Sequence, residues 1–354
     1  MSPEVGAPTV AVDAFGADGG FEVIAAGARA AASDGLGVRV FGPPGELSDL
    51  GRGIELRPAT DSISNDDEPV RAVRSRPDAS IVLAARDVAE GRSQALVSAG
   101  STGAAMTAAL FALRRLHGVH RPALAVQLPV PSRDRPVLFL DAGANTEARP
   151  RHLVQFAYLG AAFAAAVLGI ERPRVALLTV GEEQGKGTPL VVEAHDALAQ
   201  AEGIDFAGNV EGRDLPAGAA DVIVADGFTG NVALKTMEGT ASAFGTAVRD
   251  AATSGPRAAL GGLLLRPALA GLRARLDPDT TGGAILLGLR GVAVVAHGSS
   301  GPNGIANAIR LAARSVRERT IERTAELLER SGATRASLRD ADEPNGTGRR
   351  DPNA

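Results

Sequence analysis

Short runs of β-branched and aliphatic residues alternate along the chain with alanine-rich stretches long enough for helices. TVAVDA (9–14), VRVFG (38–42), IELRPA (54–59), ALVSAG (95–100), LAVQLP (124–129), VLFLDAG (137–143), RVALLTVG (174–181), VIVADG (222–227) and VAVVAHG (292–298) read as strands. Segments 21–34, 103–117, 152–169 and 188–202 read as helices between them. Strands that alternate with helices argue for an α/β fold, a mostly parallel sheet with helices on both faces. Most of these strands end in glycine, in Asp-Gly or in His-Gly. Ligands of open α/β sheets bind beyond the carboxyl ends of strands, so the pattern predicts one shared cleft there.

One stretch breaks the rhythm. Residues 254–279 place leucines at 260, 263, 264, 265, 269, 272 and 276 and arginines at 257, 266, 273 and 275. They predict two short amphipathic helices, with Pro267 kinking them or opening the second, inside a helical excursion near 240–278. Such a pair serves as a core-facing or dimer-facing element, or rests on an anionic bilayer surface, and the uses are compatible. From 333 to 354 apolar periodicity is lost, which predicts a disordered tail. With no linker between 8 and 332, a single domain is expected there.

Composition narrows the function. The chain has 354 residues, a net charge of −4, no tryptophan and one tyrosine. That balance gives neither a basic footprint nor stacking platforms for nucleic acid. The absence of cysteine removes disulfides, thiolate metal sites and a cysteine nucleophile. The apolar run at 156–170 is shorter than the roughly 20 residues of a membrane span, and no secretory leader opens the chain. A cytoplasmic protein is expected.

The chemistry sits in glycine turns. VDAFGADGG (12–20), SAGSTGAAM (98–106), DAGANTE (141–147), GEEQGKGT (181–188), DGFTGN (226–231) and HGSSGPNG (297–304) each follow a predicted strand, and several run into a helix. A helix start preceded by glycine offers free N–H groups to an anion. Six such turns carrying Asp, Asn, Ser, Thr and Lys predict a phosphate or similar anion. Of 37 basic residues only Lys186 and Lys235 are lysine, and both lie in or just beyond these turns. Known phosphate signatures fail: GEEQGKGT is one residue too short for a P-loop, and GADGG lacks dinucleotide spacing. His117, His120, His152 and His195 show no metal-ligand spacing and read as structural or solvated, whereas His297 closes a strand at a glycine turn.

These segments, in this order, resemble the bacterial phosphate acyltransferases that make acyl phosphate from acyl-acyl-carrier protein in phospholipid synthesis. VAVDAFGADGG, SAGSTGAAM, HRPALAVQLP, FLDAGANTEARPRHLVQFAYLG, PRVALLTVGEEQGKGTPL, GNVEGRDLPAGAADVIVADGFTGNVALKTMEG and GGAILLGLRGVAVVAHGSS carry the likeness, over about 8–315. The departures are mild: Phe15-Gly16-Ala17-Asp18 stands for Met-Gly-Gly-Asp, Ser101 for an asparagine, and RSRPDAS (74–80) for a lysine- and serine-richer stretch. The resemblance implies a three-layer fold like those of isopropylmalate dehydrogenase and phosphotransacetylase. It also implies a homodimer, acyl carrier protein and inorganic phosphate as partners, no metal or other cofactor, and peripheral contact with an anionic membrane surface.

In that reaction phosphate is already an anionic nucleophile, so the enzyme supplies alignment and charge. Positioning is worth roughly 7–11 kcal/mol and an oxyanion donor about 3–4 kcal/mol. On the resemblance, Lys186 compensates phosphate or oxyanion charge, the alternative being a structural pair with Glu182 or Glu183. Glu183 keeps that ammonium protonated and positions phosphate protons. Ser98, Ser101 and Thr102 bind phosphate, and Asn145, Asn231 and His297 orient thioester or phosphate. Asp141 and Asp226 fix neighbouring loops, Lys235 reaches toward the cleft, and Ser80, with Arg74 and Arg76, meets phosphate or the carrier protein. A short-chain phosphotransacetylase using acyl-coenzyme A is the nearest rival reading. A decarboxylating dehydrogenase and a catalytically inert bilayer scaffold stand further off.

Overall fold

The computed structural model describes residues 7–47, 49–131 and 133–340. Eleven strands form one sheet: β1 (Thr9–Asp13), β2 (Gly37–Gly42), β3 (Ile54–Pro58), β4 (Ala95–Ser98), β5 (Ala123–Leu128), β6 (Val137–Leu140), β7 (Arg174–Leu178), β8 (Asp205–Val210), β9 (Val222–Val224), β10 (Ala284–Leu287) and β11 (Val292–Val295). The helices are α1 (Gly20–Ser33), α2 (Pro69–Ser75), α3 (Ser80–Ala89), α4 (Thr102–Leu113), α5 (Pro150–Ala166), α6 (Pro189–Ala199), α7 (Gly227–Thr253), α8 (Pro256–Leu276), α9 (Pro302–Arg317), α10 (Thr320–Arg330) and α11 (Arg335–Asp340). All nine strands read from the sequence are present. The pattern missed β8, which carries Gly208 at φ 90° on the sheet's edge, and β10, a leucine-rich run of four residues.

Period-two alternation builds three layers. Val10 and Val12 face a cluster with Ile24, Ala28, Ile305 and Ile309 of α1 and α9, while Ala11 faces Ala84 and Ala104 of α3 and α4. In the same way Leu138 and Leu140 join Phe156 and Phe163 of α5, and Val137 and Phe139 point to the opposite cluster. Strands buried on both faces have no polar side to show, which is why these runs are apolar throughout.

The order β3-β2-β1-β4-β11-β10-β5-β6-β9-β7-β8 hides a reversal. From β3 to β11 every pairing is parallel, and from β6 to β8 again. Between these halves β10 is antiparallel to β11 and to β5, and β5 is antiparallel to β6. The two parallel halves therefore run in opposite directions.

The excursion is a long hairpin. After α7, the segment expected as two short helices forms the single helix α8, with Pro267 inside it. Nothing in α8 is buried, so the carbonyl that Pro267 leaves without its donor can turn to water. Order also continues past 333: Ala333 is buried and α11 follows, with its Leu338 packed against the core, so the expected disordered tail begins with structure. Residues 341–354 lie outside the described residues.

Candidate functional site

The first group of polar residues gathers where β1, β4 and β11 end side by side. Asp13, 4% exposed, accepts hydrogen bonds from Ser80 Oγ at 2.5 Å, Ser98 Oγ at 2.8 Å and the Phe15 N–H at 3.3 Å. Burial pushes its carboxyl up from the usual range, against the pull of those donors. Ser98 Oγ in turn accepts from the Gly100 N–H at 3.1 Å. The loops after β1 and β4 interlock: a Cβ on Gly16, at φ 90°, would stand 2.3 Å from Gly100 Cα. Ser101 is buried at the head of α4 and Thr102 is exposed beside it. The loop after β11 ties in through the Asp18 N–H, which donates to Gly298 O at 2.8 Å. His297 is exposed and its Nδ1 accepts from the Ser299 N–H at 3.2 Å, with Ser299 Oγ at 2.8 Å; the proton then sits on Nε2, facing outward from this contact.

The second group lies where β6, β9 and β7 end. Asp141 is fully buried and accepts from the N–H groups of Leu124 (2.9 Å), Gly143 (3.3 Å), Ala144 (2.9 Å) and Asn145 (2.7 Å), and from Asn145 Nδ2 (2.7 Å). Burial raises its pKa while these donors oppose the rise. Asn145 Nδ2 also donates to Pro122 O at 2.7 Å, so this carboxamide holds the turn together. Asp226 is the N-cap of α7, accepting from the Thr229 N–H at 2.9 Å and Thr229 Oγ1 at 2.7 Å. Gly230 lets α7 approach so closely that a Cβ there would fall 1.9 Å from Asp141 O. One residue on, the exposed Asn231 carboxamide lies over Gly143, and among the described residues it has no hydrogen-bond partner.

Lys186 lies in the loop that follows β7. Its loop is pinned from inside: Thr179 Oγ1 donates to Lys186 O at 3.1 Å, the Lys186 N–H to Glu183 O at 3.0 Å, and Asn209 Nδ2 to Glu183 O at 2.9 Å. His195 Nδ1 holds Asn209 Oδ1 at 2.9 Å, which gives that buried histidine a structural task. The ammonium itself is exposed and makes no ion pair among the described residues. Glu182 is taken by Arg213 at 3.3 Å, and the Glu183 carboxylate lies beside Gly181 next to the lysine stem. The backbone is fixed and the charge is left free, an arrangement suited to an anionic ligand.

The expected single cleft is not formed within one chain. Because β5 and β10 reverse direction, Ser80, Ser98, Ser101, Thr102 and His297 come together at one end of the sheet's strands, and Glu183, Lys186, Asn145, Asn231, Asp141 and Asp226 at the other. The register makes this concrete. Val295, closing β11, is paired with Ala284 at the start of β10, whereas Leu124 at the start of β5 meets Asp141 just after β6. Lys235 is exposed on α7 and paired with Glu238 at 2.8 Å, and Arg76 donates to Asp67 at 3.0 Å and Ser62 O at 2.8 Å. Arg74 stacks over the Phe111 ring at 5.2 Å. Sequence reasoning passed over Asp13 and Ser299. An aspartate closing the first strand before a glycine turn was the available signal for Asp13; nothing marked Ser299.

Among the described residues no set of three or more His, Asp or Glu side chains could hold a metal ion. A protein-family model described as fatty acid synthesis protein matches residues 8–323. A protein of Elusimicrobium minutum named phosphate acyltransferase is 49% identical over 270 residues, covering 76% of this chain and 78% of its own length. Another of that name, from Heliobacterium modesticaldum, is 46% identical over 321 residues, covering 88% and 95%. The fold is similar to that of a phosphotransacetylase from Streptococcus pyogenes, with TM-score 0.59 at 18% identity over 88% of this chain and 95% of that one. With the model spanning both parallel halves and the reversal between them, the chain belongs to the fatty acid synthesis protein family.

Proposed function

We propose that this protein transfers a fatty acyl group from an acyl-carrier-protein thioester to inorganic phosphate, releasing the carrier thiol and forming acyl phosphate for phospholipid synthesis. A phosphate oxygen attacks the thioester carbonyl, a C–O bond forms, the C–S bond breaks and the thiolate leaves to take a proton. No enzyme-linked acyl group is needed, in keeping with a chain that has no cysteine. The observation that carries the reading is Lys186, an ammonium without an ion pair among the described residues on a loop hydrogen-bonded from within, in a chain similar at 41–49% identity to curated phosphate acyltransferases. Its charge meets phosphate or the developing oxyanion, and Asn231, which follows β9 in the same parallel half, orients the thioester or phosphate.

The reading makes the protein a homodimer for a structural reason. The Ser98–His297 group and the Lys186–Asn231 group are taken as two halves of one site, joined when a second copy packs against the first. The leucines of α8 supply an apolar face for such pairing, Leu264 being 75% exposed. The arginines at 266, 273 and 275 on the same helix supply charge for an anionic membrane surface. Among the described residues no helix is long and apolar enough to cross a membrane, so contact of a cytoplasmic enzyme with the bilayer would be peripheral.

The test is phosphate-dependent thiol release from a long-chain acyl-carrier-protein thioester. Release without added phosphate, or none at all, refutes the reading. The fold's similarity to a phosphotransacetylase favours one alternative, a short-chain enzyme using acyl-coenzyme A. Faster turnover of acetyl-coenzyme A than of the long-chain carrier thioester would select it.

A further inference from the structure

Away from both polar groups, a cavity of about 570 Å³ opens between the start of α10 and the N-terminal ends of β4 and β11. Arg114, Arg290 and Arg319 line it. Two of them stand on left-handed backbone, Arg114 at φ 60° and Arg319 at φ 52°. Among the described residues seventeen further positions have positive φ, and every one is glycine. Among those residues glycine is used wherever the backbone turns this way except twice, and both exceptions face one cavity.

Main-chain bonds fix the conformation at both places. The Arg114 N–H donates to Leu110 O at 3.1 Å, and its carbonyl accepts from the Arg290 N–H at 3.0 Å. The Arg319 N–H donates to Val316 O at 3.0 Å, and its carbonyl accepts from the Arg323 N–H at 3.0 Å. Glycine would satisfy the same bonds with less strain, so the guanidinium is what arginine adds.

The neutral polar side chains of the cavity already have partners. Ser93 Oγ donates to Asp87 at 2.6 Å, Ser315 Oγ to Leu311 O at 2.8 Å and Thr320 Oγ1 to Ser315 O at 2.9 Å. Gln94 accepts from the Thr9 N–H at 2.8 Å. Arg290 Nε donates to Arg115 O at 3.1 Å, but its terminal nitrogens have no partner among the described residues, nor do the side chains of Arg114 and Arg319. Among the described residues Glu322 is the one carboxylate on the lining. Recognition here falls to planar, permanently charged donors with a positive surplus, which match phosphate oxygens two at a time. The volume exceeds what a bare phosphate fills and lies in the range of small-molecule sites, and Leu113, Val292 and Val316 offer apolar wall to an organic body.

We propose that this cavity is a binding site for an organic phosphomonoester, separate from the strand-end groups taken above as the transferase site. The test is arginine footprinting with phenylglyoxal, read peptide by peptide by mass spectrometry, on the whole protein. Phenyl phosphate at about ten times its dissociation constant slows modification of Arg114, Arg290 and Arg319 about tenfold, and phenol does not. Equal rates with and without phenyl phosphate, or equal protection by phenol, overturn the proposal. A second arm uses the double variant Arg114→Gly, Arg319→Gly, which relieves the backbone and is expected to melt higher than the parent. In it phenyl phosphate no longer protects Arg290; undiminished protection overturns the proposal as well. The readout is local to the cavity, so the result stands apart from any outcome of the thiol-release assay.

Discussion

Ser98 donates its hydroxyl hydrogen to the buried Asp13 carboxylate at 2.8 Å, joining the end of β4 to the end of β1. Asp13 thereby orients a serine that the proposed reaction needs without facing the phosphate itself. Its folded pKa is raised by burial. A carboxyl with a raised folded pKa binds its proton more tightly in the native state, so it lowers stability as pH climbs from the unfolded value near 3.8 through the folded one. Asp13→Asn removes that dependence. Melting curves from pH 4 upward are expected to show the variant gaining on the parent with rising pH, while acyl transfer falls.

His152 has the opposite sign. Burial first, then the charges of Arg121, His120, Arg151 and Arg149, hold its pKa down at about 4, and its Nδ1 accepts from the Arg149 N–H at 3.1 Å at the head of α5. The folded state keeps the ring neutral, while the unfolded chain takes a proton near pH 6.5. Stability from this residue is complete above pH 6.5 and is lost as pH falls toward about 4. Denaturant titrations at a series of pH values should find a shallower acid slope in His152→Gln than in the parent.

Lys186 is exposed and makes no ion pair among the described residues, so its removal should leave the fold alone. Lys186→Ala is expected to shift stability by no more than about 0.5 kcal/mol, and to lower acyl transfer about 100- to 1000-fold. Normal turnover by a folded Lys186→Ala protein would remove this residue from the mechanism.

The proposed two-copy site makes a sharper demand. Lys186→Ala and Ser98→Ala proteins, each inactive alone, are expected to recover about a quarter of parental turnover when co-expressed in equal amounts, because half the dimers are mixed and each mixed dimer has one intact site. No recovery in confirmed mixed dimers would place both groups' work within one chain, against the topology.

Two glycines of α7 separate close approach from helix propensity. Gly230→Ala pushes a Cβ into Asp141 O, and is expected to cost about 3 kcal/mol or to block folding. Gly239 has nothing within 4 Å of the same atom, so Gly239→Ala should stabilise by about 0.5–1 kcal/mol. Chemical denaturation of the pair distinguishes these effects.

Much of the fold was legible because alternation is local. Val10, Val12 and Leu138 announce strands by themselves, and the predicted helix at 21–34 matches α1 at Gly20–Ser33. Direction is not local. Whether LAVQLP runs with or against its neighbours depends on connections elsewhere, so turns that look alike in sequence were assigned to one cleft and lie in two places. Lys186 was legible through scarcity alone. Asp13 was overlooked because an aspartate at a strand end is ordinary until its two serine donors, distant in sequence, are in view. Arg114 and Arg319 were invisible, since backbone handedness leaves no mark on an arginine.

The late arrival of β11 sets a condition on biosynthesis. Ala95 of β4 pairs with Val292 of β11, so the outer edge of β4 has no partner until most of the chain has left the ribosome. Until then a row of unmet amides and carbonyls, on a strand of mostly apolar side chains, stands ready to recruit a strand from another nascent chain. Truncation before Val292 would leave that edge open for good, and slow translation through the α7–α8 hairpin would lengthen its exposure.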